Sequence, residues 1–257
     1  MKKTTKLCAF LLAFAFSFVT GHSVAEEAQP PAVMEVWTCN YQPGKDLDDV
    51  MGARDHYVRQ AERAGLTLGP NFVWLPIKTA APYDLLWFAA HPNLTALATQ
   101  MDTFAATSEM DSIGPRFDAA IDCSAGLATI TPIHTREAPE DDDDSAVIAS
   151  FACNFKHGRG PGDLPDLHNH IRGTMNALGN DVTPNAMYSM GPITSGPNTA
   201  DQYFFSVYNN ASAWAKWVNT LLPSDAGQSV VRHFGMLFDC DQSIWSGQQV
   251  ISGPAQE

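Results

Sequence analysis

Basic residues are scarce in this sequence. It has 15 lysines and arginines against 28 aspartates and glutamates, and the formal net charge is −13 at pH 7. An acidic protein is repelled by phosphate backbones and by anionic lipid surfaces, which bind proteins through clustered Lys and Arg side chains. The composition therefore predicts no nucleic-acid partner.

Several motifs of common enzymes and metal sites are also missing. The sequence contains no G-x-S-x-G elbow, no H-E-x-x-H helix and no glycine-rich phosphate loop. No two cysteines have C-x-x-C spacing, which disfavours a zinc knuckle or a thioredoxin-type redox site. We therefore predict no metal site, and the common hydrolase and nucleotide-binding functions have no support.

The sequence lacks an apolar run long enough to span a bilayer, which takes about 20 residues. The N-terminal run, Leu7 to Val19, is shorter; lysines precede it and small residues lead from it to Ala25. This order predicts a secretory signal peptide over residues 1–25. Its removal would take away three lysines and change the formal charge from −13 to −16. We expect a secreted or periplasmic protein with no membrane segment after cleavage.

An internal repeat organises the rest of the chain. Cys39-Asn40-Tyr41 recurs as Cys153-Asn154-Phe155, a shift of 114, and the shift becomes 117 further along. The longer shift carries the pair Asp122-Cys123 onto Asp239-Cys240. Two cysteine-containing pairs in frame predict a duplicated domain. We place the first repeat at 32–131 and the second at 146–251.

An acidic, proline-containing segment separates the two repeats. It spans 132–145 and includes four consecutive aspartates, Asp141 to Asp144. Like charges without periodic apolar residues are typical of a solvated linker. A calcium site is the alternative, but the spacing of an EF-hand loop is absent.

Each repeat has the same pattern of apolar residues. In the first, Val33–Tyr41 reads as a strand, and Asp46–Ala64 as a helix with Gly65 just past its end. Two strands follow, at 72–77 and 83–90, then a helix capped by Asn93, and a last strand at 117–130. The order β-α-β-β-α-β is that of a ferredoxin-like unit, so we predict an α+β fold with two tandem units.

Four cysteines remain after the predicted cleavage, which in an exported protein indicates disulfides. The ferredoxin-like order places the first and last strands of a unit side by side. We therefore prefer the pairs Cys39–Cys123 and Cys153–Cys240, one in each unit. Bridges between the repeats are the alternative if the two sheets pack face to face.

Two fused units of this kind resemble the dimeric α/β-barrel superfamily, in which two sheets pack together to close a barrel. The repeated Cys-Asn-aromatic segment also resembles that of small secreted proteins of marine bacteria. The superfamily includes haem-degrading monooxygenases, cofactor-free oxygenases, isomerases and ligand-sensing domains. The resemblance implies a pseudo-dimeric barrel, and it leaves the activity open because one fold hosts many functions.

Two pairs of equivalent residues are candidates for ligand binding. Asn40 and Asn154 follow the first-strand cysteines, and a strand amide facing the barrel could orient a ligand; a hydrogen bond to the neighbouring turn is the alternative. His56 and His170 occupy equivalent places on the first helix of each repeat. They could bind a ligand, metal or haem, or they could lie at a helix interface.

Trp87 is a further candidate for ligand binding, and it is suggested by the resemblance to the superfamily. Some haem-degrading members of the superfamily use a first-strand asparagine, a strand tryptophan and a helix histidine. Asn40 and Trp87 could fill the first two roles, and His91 precedes the second helix instead of lying in it. Trp87 could equally be a core residue.

Three functions follow from these patterns. The first is an exported protein that binds a small, largely apolar ligand inside the barrel or at its mouth. The second is a haem-using or cofactor-free monooxygenase-like enzyme working in the same cavity. The third is a structural or interaction module whose barrel is packed solid. The sequence leaves the oligomeric state open.

Overall fold

The structure is a computed structural model that describes residues 31–136, 145–194 and 199–253. The predicted signal peptide at 1–25 and the aspartates at 141–144 lie outside these residues. Within them, no helix is long and apolar enough to cross a membrane.

The first half of the chain contains four strands and three helices. They are β1 (Ala32–Tyr41), α1 (Leu47–Arg63), β2 (Asn71–Lys78), β3 (Leu85–His91), α2 (Leu94–Ala105), α3 (Ile113–Asp118) and β4 (Ile121–Thr135), with a 3₁₀ turn at Ser108–Ser112 before α3. The helix starts follow from the caps: the side chain of Asp46 accepts from the backbone of Asp48 and Asp49, and that of Asn93 accepts from Ala96. Gly65 has the positive φ of a residue that follows a helix end.

The second half has the same order with a longer third helix. Its elements are β5 (Ser145–Phe155), α4 (Leu164–Leu178), β6 (Ala186–Pro192), β7 (Gln202–Tyr208), α5 (Ala211–Leu221), α6 (Asp225–Leu237) and β8 (Phe238–Ile251), with a 3₁₀ turn at Pro161–Asp163 before α4. The helices α3 and α6, of 6 and 13 residues, were not expected. They include Phe117 and Phe234, which we had placed at the start of the last strands.

The eight strands close into one antiparallel barrel. Around it the order is β1-β3-β2-β8-β5-β7-β6-β4, so each half contributes four neighbouring strands. The halves join where β2 pairs with β8 and where β4 pairs with β6. This closure gives an α+β fold built around an eight-stranded antiparallel barrel.

The strand β4 is longer than the last strand predicted for the first repeat, which ended at 130. It continues to Thr135 and pairs with β6 as far as that residue. The extension has a packing reason, because Ile133 is 2% exposed and belongs to the core beneath the helices of the second half.

Both predicted disulfides are confirmed. Cys39 is bonded to Cys123 and Cys153 to Cys240. In each half the two cysteines are direct partners in the ladder between the first and last strands. Strand pairing therefore brings the sulfur atoms together, as the ferredoxin-like order predicts.

The barrel interior is filled by its own side chains. Each strand supplies one buried residue to this core: Met34, Trp74, Phe88, Ala128, Ile148, Met190, Phe205 and Trp245. The Trp74 ring centroid is 4.3 Å from that of Phe88 and 5.1 Å from that of Phe205. One function predicted from the sequence places a ligand inside the barrel or at its mouth. Apolar side chains fill the centre of the barrel. Two further cores lie outside the barrel wall, beneath the helices of each half.

Candidate functional site

The two asparagines predicted as ligand groups lie at strand ends and are exposed. Asn40 follows Cys39 near the end of β1, and Asn154 follows Cys153 near the end of β5. Both residues are exposed. Oδ1 of Asn154 accepts a hydrogen bond from the backbone N–H of Asp201 at 3.4 Å. This contact joins the end of β5 to the segment before β7, and it is not the bond to the neighbouring turn that the sequence left open.

Trp87 faces the helices and not the barrel interior. It is 6% exposed in the outer core of the first half, and its Nε1 donates to Oδ1 of Asn71 at 2.8 Å. Asn40 lies on the opposite face of the sheet, because its neighbour Cys39 shares the outer core with Trp87. The structure therefore does not bring Asn40 and Trp87 together around one ligand.

The two histidines predicted as ligand groups lie in seams between helices. Nε2 of His56 is 2.8 Å from Oγ of Ser112, at the turn before α3. Nδ1 of His170 is 3.0 Å from Nδ1 of His233 on α6. Burial, and then the nearby guanidinium of Arg116, lower the pKa of His56.

His91, at the end of β3, is hydrogen-bonded to a carboxylate. The His91 side chain is 4% exposed, and its Nε2 is 2.9 Å from Oε2 of Glu35 on β1. Since Glu35 occupies that nitrogen, the contact ties two neighbouring strands together and supplies no further ligand group there.

A cavity of about 450 Å³ lies in the second half, between α4 and the outer face of the barrel wall. Its floor is formed by β4, β6 and β7, and its roof by α4. The residues that line it are Thr129, Thr131, Phe155, Pro161, Leu164, His168, Ser189, Gly191, Pro192, Thr199, Ala200, Asp201 and Gln202. We call it the α4 cavity. Its size is within the range of small-molecule sites.

The floor of the α4 cavity is polar although it is buried. Ser189 is 2% exposed and Gln202 is 4% exposed. A Cβ atom at Gly191 would lie 3.4 Å from Oγ1 of Thr129 and 3.5 Å from Oε1 of Gln202, so glycine keeps the space between them open. Thr129 Oγ1 donates to the carbonyl oxygen of Gly191 at 3.2 Å. Hydroxyl and amide groups therefore line one wall.

His168 is the titratable group on the roof. Its Nε2 is buried and has no hydrogen-bond partner among the described residues. The ring meets Phe204 edge to face, with centroids 6.3 Å apart and planes at 83°. Burial, and to a lesser degree the guanidinium of Arg172, lower the pKa of His168. The imidazole is therefore neutral at pH 7 and has one donor and one acceptor nitrogen.

The matching positions of the first half carry a cation and an apolar side chain. The shift of 114 pairs His168 with Arg54, whose Nη1 donates to the carbonyl oxygen of Val250 at 2.5 Å. Gln202 corresponds to Leu85, since both stand opposite the first-strand cysteine of their half, and Leu85 is fully buried. A charged side chain and apolar bulk thus occupy the first half, where the second half has the α4 cavity.

In the second half the arginine sits one helical turn later. Nε of Arg172 donates to the carbonyl oxygen of Ile133 at 3.2 Å, and Ile133 is the counterpart of Val250 under the shift of 117. Each half therefore has an arginine that donates to a backbone carbonyl of the other half. In the second half position 168 does not have to supply it. Four residues along a helix preserve the face, which is why the exchange is possible.

A wider groove of about 680 Å³ lies between the start of α1 and α3. Three of its polar residues, Lys45, Asp46 and Asp49, are engaged in local contacts. Asp46 caps α1, and Asp49 closes the capping box and accepts from Nζ of Lys45 at 2.8 Å. The α4 cavity is the better candidate, because Nε2 of His168 is buried without a hydrogen-bond partner among the described residues.

Sequence reasoning missed His168, Ser189 and Gln202. Each comes from a different element, and none stands in a recognisable motif. One signal was present: Arg54 and Leu85 change to His168 and Gln202 between the repeats. Among the residues that the structure describes, no group of three or more His, Cys, Asp or Glu is placed to hold a metal ion.

No protein-family model matches this sequence, and no curated protein is similar to it. Solved structures are similar in fold. A monooxygenase-like protein of Fusobacterium nucleatum has a TM-score of 0.56 at 8% identity, over 88% of this chain and 95% of that chain. An anthrone oxidase-like protein has a TM-score of 0.52 at 12% identity, over 90% and 95%. A monooxygenase-like protein of Lactobacillus acidophilus has 0.51 at 11%, over 87% and 96%. These likenesses show the shared fold.

Proposed function

We propose that this chain binds a small molecule in the α4 cavity, with His168 as the central polar contact. The observation that carries the proposal is the difference between the halves. Arg54 and Leu85 fill the first half, whereas His168 and Gln202 leave a polar-walled volume in the second. A core that only served stability would be packed alike in both halves, since unfilled space and buried polar groups both cost free energy.

The lining favours a neutral ligand with a hydroxyl or carbonyl group. Among the described lining residues none is Lys or Arg, and Asp201 is the one carboxylate. An anionic ligand would meet Asp201 without a compensating cation. A neutral hydroxyl group, by contrast, could pair with Gln202, the threonines or His168, while the apolar side chains cover a ring.

The test is a titration with 1-naphthol, a neutral hydroxylated aromatic compound, followed by its fluorescence. We expect one molecule bound per chain, and at least tenfold weaker binding of the anion 1-naphthoate. Gln202→Leu, which installs the residue of the first half, should weaken 1-naphthol binding. Equal binding to wild type and Gln202→Leu would contradict the assignment of the α4 cavity, and no binding at all would favour the third function, a structural or interaction module.

A cofactor-free monooxygenase-like activity in the same cavity is the second candidate. A neutral imidazole can accept the proton that an anthrone-type substrate loses before it reacts with oxygen, and His168 has a nitrogen available. The similar solved structures include monooxygenase-like and anthrone oxidase-like proteins. Anthrone and O₂ would give anthraquinone and water. Oxygen uptake with anthrone that disappears in His168→Gln would support it.

Haem is less well matched by the described residues. The three residues that the resemblance implied do not converge, since Asn40 is exposed and Trp87 is held by Asn71. The two propionates of a haem would also find no cationic residue in the described lining of the α4 cavity. A Soret band on haem titration that is lost in His168→Arg would favour haem.

We also infer that the two halves are tandem ferredoxin-like units that arose by duplication. The strand orders β4-β1-β3-β2 and β8-β5-β7-β6 support this, as does the equivalent disulfide in each half. Two disulfides are typical of an oxidising compartment and support export through the signal peptide predicted at 1–25. N-terminal sequencing of the protein recovered from its host would test the cleavage.

A further inference from the structure

Two histidines meet in the seam between α4 and α6. Nδ1 of His170 lies 3.0 Å from Nδ1 of His233, the ring centroids are 5.3 Å apart, and the ring planes are inclined by 36°. Both side chains are partly exposed. Because a neutral imidazole has one N–H and one lone pair, one ring donates to the other in this arrangement.

We propose that His170 and His233 form a two-histidine site for Cu²⁺ or Ni²⁺. Bonds from imidazole nitrogen to such metals are about 2.0–2.1 Å long. Two bonds of that length to nitrogens 3.0 Å apart meet at the metal at an angle of about 94°. This is the angle between neighbouring ligands in square-planar and octahedral centres. A tetrahedral centre, which Zn²⁺ prefers, would need the nitrogens about 3.3–3.4 Å apart.

Metal binding needs a lone pair on both Nδ1 atoms. The ring that donates in the metal-free pair therefore moves its proton from Nδ1 to Nε2 before both nitrogens can bind the metal. The described residues supply no third His, Cys, Asp or Glu at the site, so water would complete the coordination. The net charge of −13 favours the approach of a cation.

The first half provides an internal control. The shift of 114 pairs His56 with His170, and the shift of 117 pairs Arg116 with His233. A guanidinium is always protonated and has no lone pair for a metal, so the first-half seam holds one imidazole beside a fixed positive charge. The metal site is therefore specific to the second half, and neither of its histidines lines the α4 cavity.

The test is a calorimetric titration of the full-length protein, purified without a histidine tag, with CuSO₄, NiCl₂ and ZnCl₂. We expect one equivalent of Cu²⁺ in the tightest phase, weaker Ni²⁺ and the weakest Zn²⁺, with nitrogen hyperfine splitting from two imidazoles in the Cu²⁺ electron paramagnetic resonance spectrum. His170→Ala and His233→Arg should each weaken this phase at least tenfold, whereas His56→Ala should leave it unchanged.

His233→Arg places in the second half the residue that the first half already carries, so the seam should still fold, and circular dichroism checks this. If it does not fold, His170→Asn takes its place. A tight Cu²⁺ phase that survives both the His170 and the His233 substitutions would overturn the proposal, as would an equal loss in His56→Ala. Tighter binding of Zn²⁺ than of Cu²⁺ would contradict the geometry.

Discussion

Arg54 and His168 occupy matching positions on α1 and α4 but have different roles. Arg54 reaches across to β8 and donates to the carbonyl oxygen of Val250, whereas Nε2 of His168 has no hydrogen-bond partner among the described residues. The arginine of the second half, Arg172, makes the equivalent contact from one turn further along. One exchange on a helix thus separates a filled region from the α4 cavity.

Replacing His168 with arginine should close the α4 cavity. The longer cationic side chain would occupy the volume, as Arg54 does in the first half. We expect 1-naphthol affinity to fall at least tenfold, with little change in melting temperature. The control is Arg54→His, which removes a hydrogen bond from a charged donor and should cost about 1.5–3 kcal/mol of stability. Arg54→His should create no second binding site, because Leu85 still occupies the matching position of the first half. Undiminished binding of 1-naphthol by His168→Arg would show that the ligand binds elsewhere.

Weakening the barrel core should reduce stability and leave ligand binding intact. Trp245 is 2% exposed in the barrel interior, and its Nε1 donates to Oγ of Ser150 at 2.8 Å. Trp245→Ala should lower the free energy of unfolding by about 3–5 kcal/mol, as measured in urea. Trp245→Phe is the milder companion variant. We expect both variants to bind 1-naphthol with an affinity within twofold of wild type. A large loss of affinity would indicate that the ligand binds inside the barrel.

The two disulfides should contribute similarly to stability. They close loops of 84 and 87 residues, for which the chain-entropy relation gives about 4–5 kcal/mol each. We expect the double variants Cys39→Ala/Cys123→Ala and Cys153→Ala/Cys240→Ala to have nearly equal losses in denaturant unfolding. A loss confined to one half would show that the halves unfold separately.

Acid should destabilise the protein below the ordinary histidine pKa of 6.5. Burial lowers the pKa of both His134 and His168 in the folded chain. The unfolded chain therefore binds more protons between the two pKa values, and stability falls as pH decreases through 6.5. Urea unfolding at pH 8, 7, 6 and 5 measures this. The fall should be shallower in His134→Gln/His168→Gln; an unchanged slope in that variant would assign the effect to other groups.

Much of the fold was predictable because it depends on local signals and on the repeat. Asp46, Asn93 and Gly65 mark helix ends by their own chemistry, and the strand order follows from the element order. The disulfides then follow from adjacent strands. The helices α3 and α6 were missed because they lie directly before β4 and β8, where apolar residues such as Phe117 and Phe234 suit either a helix or a strand.

The site was not predictable in the same way. Asn40, Asn154, His56 and His170 drew attention because they are repeated, and none of them lines the α4 cavity. The α4 cavity depends on what differs between the halves, such as Gln202 for Leu85. The cavity also requires β4 of the first half to lie beneath α4 of the second half. Barrel closure brings these elements together, and a local sequence pattern does not predict it.

The most direct test of the α4 cavity is nuclear magnetic resonance of the protein labelled with ¹⁵N-histidine, recorded during a 1-naphthol titration. The spectrum of His168→Gln assigns the His168 signals. We predict that the ring nitrogens of His168 shift with a single saturating transition, while those of His56 and His91 stay in place. An unmoved His168 at saturating 1-naphthol would contradict the account.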